Sequence, residues 1–335
     1  MDFEYTEPQS ELERAFGGFH SVNAFGTIKA ADDTKFEKFL TQSTPPPRTP
    51  VFIDSLGGDV ETAMNIGRKI RQNWFSTNIG LFVLKCDGAD HTIIKREKLP
   101  GRCMSAATLI FLGGRLRYHD DSAAFGVHQF SYKNPSPGDL GKSQMLSAKI
   151  ATYVAEMGAS PAFLEISSST PSTEIKLVDQ ATLKNLRVVT GGVTDVTWTV
   201  QARGDAIYVR GERDSIYGHH KVMLVYARGS GFLFHAVIEA QGRERELTEF
   251  SLVEIVLNDG ELSTDISERA LRFVNGGDVN IIVKLEEGEA RAIAYSTSFG
   301  VQVRASNEAP VFFGIAPVNT EGGREQLETL FSVLC

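Results

Sequence analysis

The chain is poor in cysteine, in basic charge and in long apolar runs, and each shortage removes a class of protein. Its 335 residues hold three cysteines, Cys86, Cys103 and Cys335. An odd, scattered set is no disulfide framework, and no C-x-x-C spacing offers a metal site. Cys86 and Cys103 are expected to be free thiols of a reducing compartment, although a hairpin between them would bring them together. Acidic residues outnumber basic ones 42 to 34, for a formal net charge of -8. That balance argues against nucleic acid as a main partner, because phosphate binding needs a basic face. No apolar run approaches the roughly 20 residues of a membrane span. The opening MDFEYTEPQSELERAF is acidic and polar, unlike a secretory leader, so the chain is expected to be cytoplasmic as given or to have lost a leader. No G-x-x-x-x-G-K-[ST] loop occurs, so any ATP-driven partner is a separate chain. No cofactor is implied.

What is present is ordinary globular composition, 42% hydrophobic and 23% charged, at a length that suggests two domains. Residues 1–20 read as a loose arm. AFGTIKAADDTKFEKFLTQ reads as a strand leading into a helix, and TQSTPPPRTP as a stiff extended connection whose prolines exclude helix. VFIDSLGGDV is a short apolar strand ending in a glycine turn. Val60, Met64, Gly67 and Ile70 then share one helical face. Thr77 to Leu84 is another strand. Residues 85–101 form a long charged connector of the kind that lies over a site. Gln144 to Met157 is an amphipathic helix stopped by Gly158, Ser160-Pro161 starts a short helix, and 179–186 make the last one.

Near Gly191 the pattern changes. VTWTVQAR, AIYVRGE, KVMLVYAR, FLFHAVIEA, SLVEIVLN, ALRFV, VNIIVKLE, ARAIAYS and APVFFGIA are β-branched, aromatic and roughly alternating, with turn residues between them. They imply an all-β, sandwich-like domain over 195–335, closed by a helix in GGREQLETLFSVL. The preceding α/β domain covers 21–192.

Three elements of the first domain could meet. Ser105 lies in PGRCMSAATLIFLGG, where a buried segment opens on a serine among small residues. His128 ends the strand AAFGVHQ, and Gly57-Gly58 sit in a strand-to-helix turn. Serine attack on a carbonyl needs a base to take the hydroxyl proton, and histidine titrates in the right range. The oxyanion that forms needs fixed donors, and backbone amides at small residues supply them at little steric cost.

In this order, VFIDSLGGDVETAMNIGRKI, GRCMSAATLIFLGG and AAFGVHQF resemble the Clp-type serine peptidases of the Clp/crotonase superfamily, over roughly residues 20–190. The nearer likeness is to bacterial predicted periplasmic Clp-like proteins, with Cys103-Met104-Ser105-Ala106 and Thr170-Pro171 as the matching segments. The resemblance implies a ββα-spiral fold, with Ser105 as nucleophile and His128 as base. It also implies oxyanion donors at Gly57-Gly58 and Ala106, Ala106 being preferred to Met104. It further implies a peptide or protein substrate, a homo-oligomer packed through the long helix, and a periplasmic location if a leader was removed. Clp peptidases orient the histidine with an aspartate. In SSSTPSTEIKLVDQATLKNLRVVT no aspartate stands at the matching place; Glu174 is nearest and Asp179 follows. The site is therefore a Ser-His dyad or a triad completed by Glu174.

Each residue also has a plainer reading. A lone serine among small residues is more often packing, and a lone histidine more often a satisfied core residue. Gly57-Gly58 also suit a tight turn needing positive φ. Asp59 suits a helix N-terminus, and Glu174 a solvated carboxylate. His219-His220 and His235 lack a third metal ligand at useful spacing, so no metal is expected. The order of the three motifs favours a serine hydrolase. The alternative is a catalytically idle Clp-like scaffold whose β domain binds a partner. Acyl-CoA chemistry of the crotonase kind is a third reading, without a basic pocket signature to support it.

Overall fold

The computed structural model describes residues 1–85, 93–130 and 139–335. Two units divide the chain, Met1–Gly192 and Val193–Cys335. In chain order the first holds β1 (Asp2–Thr6), α1 (Glu11–Phe16), β2 (Ser21–Phe25), α2 (Asp32–Ser43), β3 (Pro50–Asp54), α3 (Val60–Gln72), β4 (Ser76–Ile79) and β5 (Leu81–Leu84). Then come β6 (Arg96–Leu99), β7 (Arg102–Met104), α4 (Ala107–Leu112), β8 (Ala124–Val127), α5 (Asp139–Glu156), α6 (Phe163–Ser168), β9 (Lys176–Leu177) and α7 (Gln180–Asn185). Strands β2, β3 and β4 pair in parallel, with β1 antiparallel on the edge. A second sheet sets β7 parallel to β8, with β9 antiparallel beyond it. This unit is mixed α/β.

Local chemistry accounts for the central elements. Val51 and Ile53 on one face and Phe52 on the other are all buried, as expected of a strand covered on both faces. Asp59 caps α3 by accepting from the Thr62 amide. Ala63, Met64, Ile66, Gly67 and Ile70 form the buried face of α3. Every residue of α4 is buried, so this short helix is held by packing rather than propensity. At Gly67 an added Cβ would stand 1.9 Å from Tyr153 Oη, so only glycine admits this approach.

The segment 1–20 is not a loose arm. Phe3 and Tyr5 alternate along β1, and Phe3 packs on Phe36 with ring centroids 4.8 Å apart. The charged residues around them mask that alternation. Ser10 caps α1 through the Glu13 amide. The connector 85–101 is likewise partly strand: β6 pairs antiparallel with β5. Cys86 and its relation to Cys103 lie outside the described residues.

The second unit continues with β10 (Thr197–Arg203), β11 (Ala206–Ser215), β12 (Gly218–Ala227), β13 (Gly231–Glu239), α8 (Glu244–Glu249), β14 (Leu252–Leu257) and β15 (Leu262–Asp265). After these stand β16 (Leu271–Asn275), β17 (Asp278–Lys284), α9 (Glu287–Ala294), β18 (Ser298–Arg304), β19 (Phe313–Asn319) and α10 (Arg324–Leu334). Two antiparallel sheets run β10-β11-β12-β13-β17-β16 and β15-β14-β18-β19. On β13, Phe232, Phe234, Ala236 and Ile238 are buried in strict alternation. The unit is β-rich rather than all-β, because three helices join the sheets. ARAIAYS, expected as a strand, falls largely in α9. A capping box between Glu286 and Glu289 starts that helix, and its alanines suit it. The strand there is β18, in SFGVQVR. Among the described residues no helix is long and apolar enough to cross a membrane.

Candidate active site

Strand β3 runs out into Ser55-Leu56-Gly57-Gly58-Asp59 before α3 begins. Ser55 Oγ donates to the Gly26 carbonyl at 2.7 Å and accepts from the Gly57 amide at 3.1 Å. Gly57 has φ +100°, and a Cβ there would stand 2.8 Å from Ser105 Cβ and 2.9 Å from the Met104 carbonyl. Gly58 has φ +145°, and a Cβ there would lie 2.1 Å from the Ile28 carbonyl. The glycine pair is thus required by both conformation and space. Ile28 clamps it, donating to the Gly57 carbonyl and accepting from the Asp59 amide, both at 3.0 Å.

Ser105 stands between β7 and α4 with φ 55°. A non-glycine residue in the left-handed region is strained by roughly 1–3 kcal/mol and persists only where its surroundings impose it. Those surroundings are clear. The Met104 amide donates to the Ser55 carbonyl at 3.0 Å, and the Ser105 amide to the Gly126 carbonyl at 2.9 Å. The Thr108 amide and hydroxyl both donate to the Ser105 carbonyl, at 3.0 and 2.7 Å. The small neighbours follow from this geometry: Ala106 and Ala107 are buried against the turn. Cys103, directly before it, is fully buried, and burial pushes its thiol well above the ordinary range, so it is no competing nucleophile.

His128 follows β8 by one residue and is half-buried. Its Nδ1 lies 2.7 Å from the Gln129 carbonyl. A carbonyl can only accept, so this contact places the proton on Nδ1 and leaves the Nε2 lone pair available. The Gln129 amide donates to the Thr170 carbonyl at 2.9 Å, and Thr170 is buried. Ser105 and His128 line one small cleft of about 50 Å³, with Val60, Leu109, Phe130, Ile150 and Phe163 as its apolar walls. Among the described residues no hydrogen bond joins Ser105 Oγ to His128.

The other expected residues are placed differently. Gly57 gives its amide to Ser55, so it has no free donor for an oxyanion. The amides of Gly58 and Ala106 make no hydrogen bond among the described residues. Glu174 is exposed, and among the described residues its carboxylate makes no hydrogen bond or ion pair, to His128 or to any other group. Asp179 caps α7. The Thr182 hydroxyl, and next the Thr182 amide, hold its carboxyl below the ordinary carboxylate range. The residue that sequence reading missed is Gln129, whose contribution is a main-chain carbonyl and leaves no side-chain signal.

Two histidines of the second unit have side-chain partners: His219 Nδ1 lies 3.1 Å from Asp214, and His235 Nε2 2.9 Å from Asn280. Among the described residues no group of three His, Cys, Asp or Glu could hold a metal ion.

No family model and no curated protein matches this sequence. Among solved structures, a ClpP1 mutant from Listeria monocytogenes is similar over 50% of this chain and 88% of its own, at 18% identity and a TM-score of 0.36. That likeness is distant and says nothing of chemistry.

Proposed function

We propose that the chain is a serine hydrolase, acting on peptide bonds through an acyl-enzyme at Ser105, with a Clp/crotonase-like first unit. The observation that carries this reading is the strained Ser105 turn, with two unused amides beside it and a tautomer-defined histidine in the same cleft. Ser105 Oγ attacks the carbonyl carbon, and His128 Nε2 takes its proton. The oxyanion is received by the amides of Gly58 and Ala106. His128 then returns the proton to the leaving amine, and water releases the acyl group by the same steps in reverse order. The Gln129 carbonyl accepts from Nδ1, the bond that a triad gives to a carboxylate. It orients the ring, but as a neutral dipole it stabilises the imidazolium less, so turnover is slow. The second unit serves as a binding or assembly module.

A test is hydrolysis of activated acyl esters and of unstructured peptides. Ser105→Ala and His128→Ala lose at least about 10³ of the rate, whereas Glu174→Gln stays within about threefold. Full activity in Ser105→Ala overturns the reading. A second reading, an idle scaffold, draws on the missing Ser105–His128 hydrogen bond and on the cleft's small volume. Catalytic hydrogen bonds often tighten only with substrate in place, so that geometry does not decide against hydrolysis.

A further inference from the structure

Sheet edges in folded chains are guarded against pairing with other chains by charge, proline, bulges or cover. In this protein the guards are visible on several edges. Strand β1 carries Asp2 and Glu4. Strand β19 carries Pro317, and its pairing with β18 is broken by a bulge at Phe299/Val301. Strand β15 is short and polar after Leu262, and β10 is tied at Trp198, whose Nε1 donates to the Asn319 carbonyl. Strand β16 carries no proline, and its pairing with β17 runs without a bulge. It ends the six-stranded sheet and, among the described residues, pairs with β17 alone. Its sequence is LRFVN, with Leu271 60%, Phe273 38% and Val274 48% exposed. Its one charge is turned onto its own unit, because the Arg272 guanidinium donates to the Leu247 and Phe250 carbonyls at 3.2 and 2.8 Å.

An open edge offers main-chain donors and acceptors that only another strand can satisfy in register. The apolar, nearly uncharged character of β16 selects a strand of the same character, and β16 is itself one. We propose that β16 pairs antiparallel with β16 of a second copy, joining two six-stranded sheets across a two-fold axis at Phe273. The sequence is self-complementary in that register. Phe273 meets Phe273, Leu271 meets Asn275, and Arg272 meets Val274, so no charge faces a like charge. Beyond the strand, Gly276 falls opposite Ala270 of the second copy, and around Gly276 there is open space for it.

The test is sedimentation velocity of the full chain across a concentration series, with Val274→Lys and Val274→Glu. Both substitutions fall on a half-exposed position, and circular dichroism checks that each variant is folded. In the proposed register, Val274→Lys sets a lysine against Arg272 of the second copy and weakens self-association by at least about tenfold, whereas Val274→Glu preserves or tightens it. Should the chain also assemble through its first unit, Val274→Lys removes the two-fold step and leaves the other. Unsubstituted protein that is monomeric up to about 100 µM overturns the proposal, as does association equally insensitive to lysine and glutamate.

Discussion

Arg117 is 2% exposed and anchors the scaffold that carries Ser105. Its guanidinium donates to the carbonyls of Leu112 at the end of α4 and Gly114 beyond it, Met157 after α5, and Arg187 and Val188 after α7. One side chain thus satisfies carbonyl groups at the C-terminal ends of three helices, where backbone acceptors have no partner within the helix. Lysine at 117 keeps the charge but has three donors, so at least two of the five carbonyls are left without one. A buried unsatisfied group costs about 1–3 kcal/mol, so Arg117→Lys costs about 2–6 kcal/mol. Against a typical total of about 5–15 kcal/mol, that is a large fraction. Arg117→Met strands all five and should prevent the first unit from folding. Hydrogen exchange followed by mass spectrometry reads the effect locally. Peptides from α4, α5 and α7 in Arg117→Lys should exchange at least about 20-fold faster, the equivalent of roughly 2 kcal/mol. A change under about threefold in all three helices would mean that the carbonyls find other donors at no cost and that Arg117 is not their anchor.

Two further substitutions probe the site and its support. Gly57→Ala forces a side chain at φ +100° to within 2.8 Å of Ser105 Cβ. It should cost about 2–4 kcal/mol and abolish acylation of Ser105. Gly26→Ala, strained at φ +87° but in open space, should leave acylation intact; equal loss in both would show that strain alone is responsible. Glu13 is buried with Arg96, and that guanidinium, against the opposing effect of burial and with help from the Gln9 and Ile94 amides, holds its carboxyl at about 2. A depressed carboxyl stabilises the fold above its unfolded value of about 4.3 and loses that contribution as pH falls toward the folded value. Glu13→Gln should therefore cost about 3–5 kcal/mol at neutral pH, with a smaller gap at pH ~3. Urea midpoints at the two pH values that differ by the same amount would contradict this.

Much of the fold was legible because period and punctuation agree. The alternation in β10 to β13 and the face of α3 are plain in the sequence, and Asp59 announces the start of α3, whereas α6 starts at Phe163, past the expected cap at Ser160-Pro161. Failures came where tertiary context outweighs pattern. DFEYT reads as a polar arm until β2 is present to pair with it. ARAIAYS has strand-like residues, yet the capping box at Glu286 and Glu289 makes it a helix. At the site, Ser105, His128 and the glycine pair are readable as residue types at spacings that chemistry requires. The choice of amides is not readable. Gly57 loses its donor to Ser55 Oγ, a bond that depends on how β3 leaves the sheet. The acceptor for His128 is a main-chain carbonyl, which every residue possesses, so no sequence pattern points to Gln129.

Covalent labelling is the sharpest probe of whether Ser105 is an activated nucleophile. The intact protein should react with a fluorophosphonate, and peptide mass spectrometry should place the adduct on Ser105. Labelling should vanish in Ser105→Ala and His128→Ala and persist in Glu174→Gln, each variant being checked for native folding. Well-folded protein that takes no label, or takes it equally when His128 is replaced, would mean that Ser105 is not activated by His128.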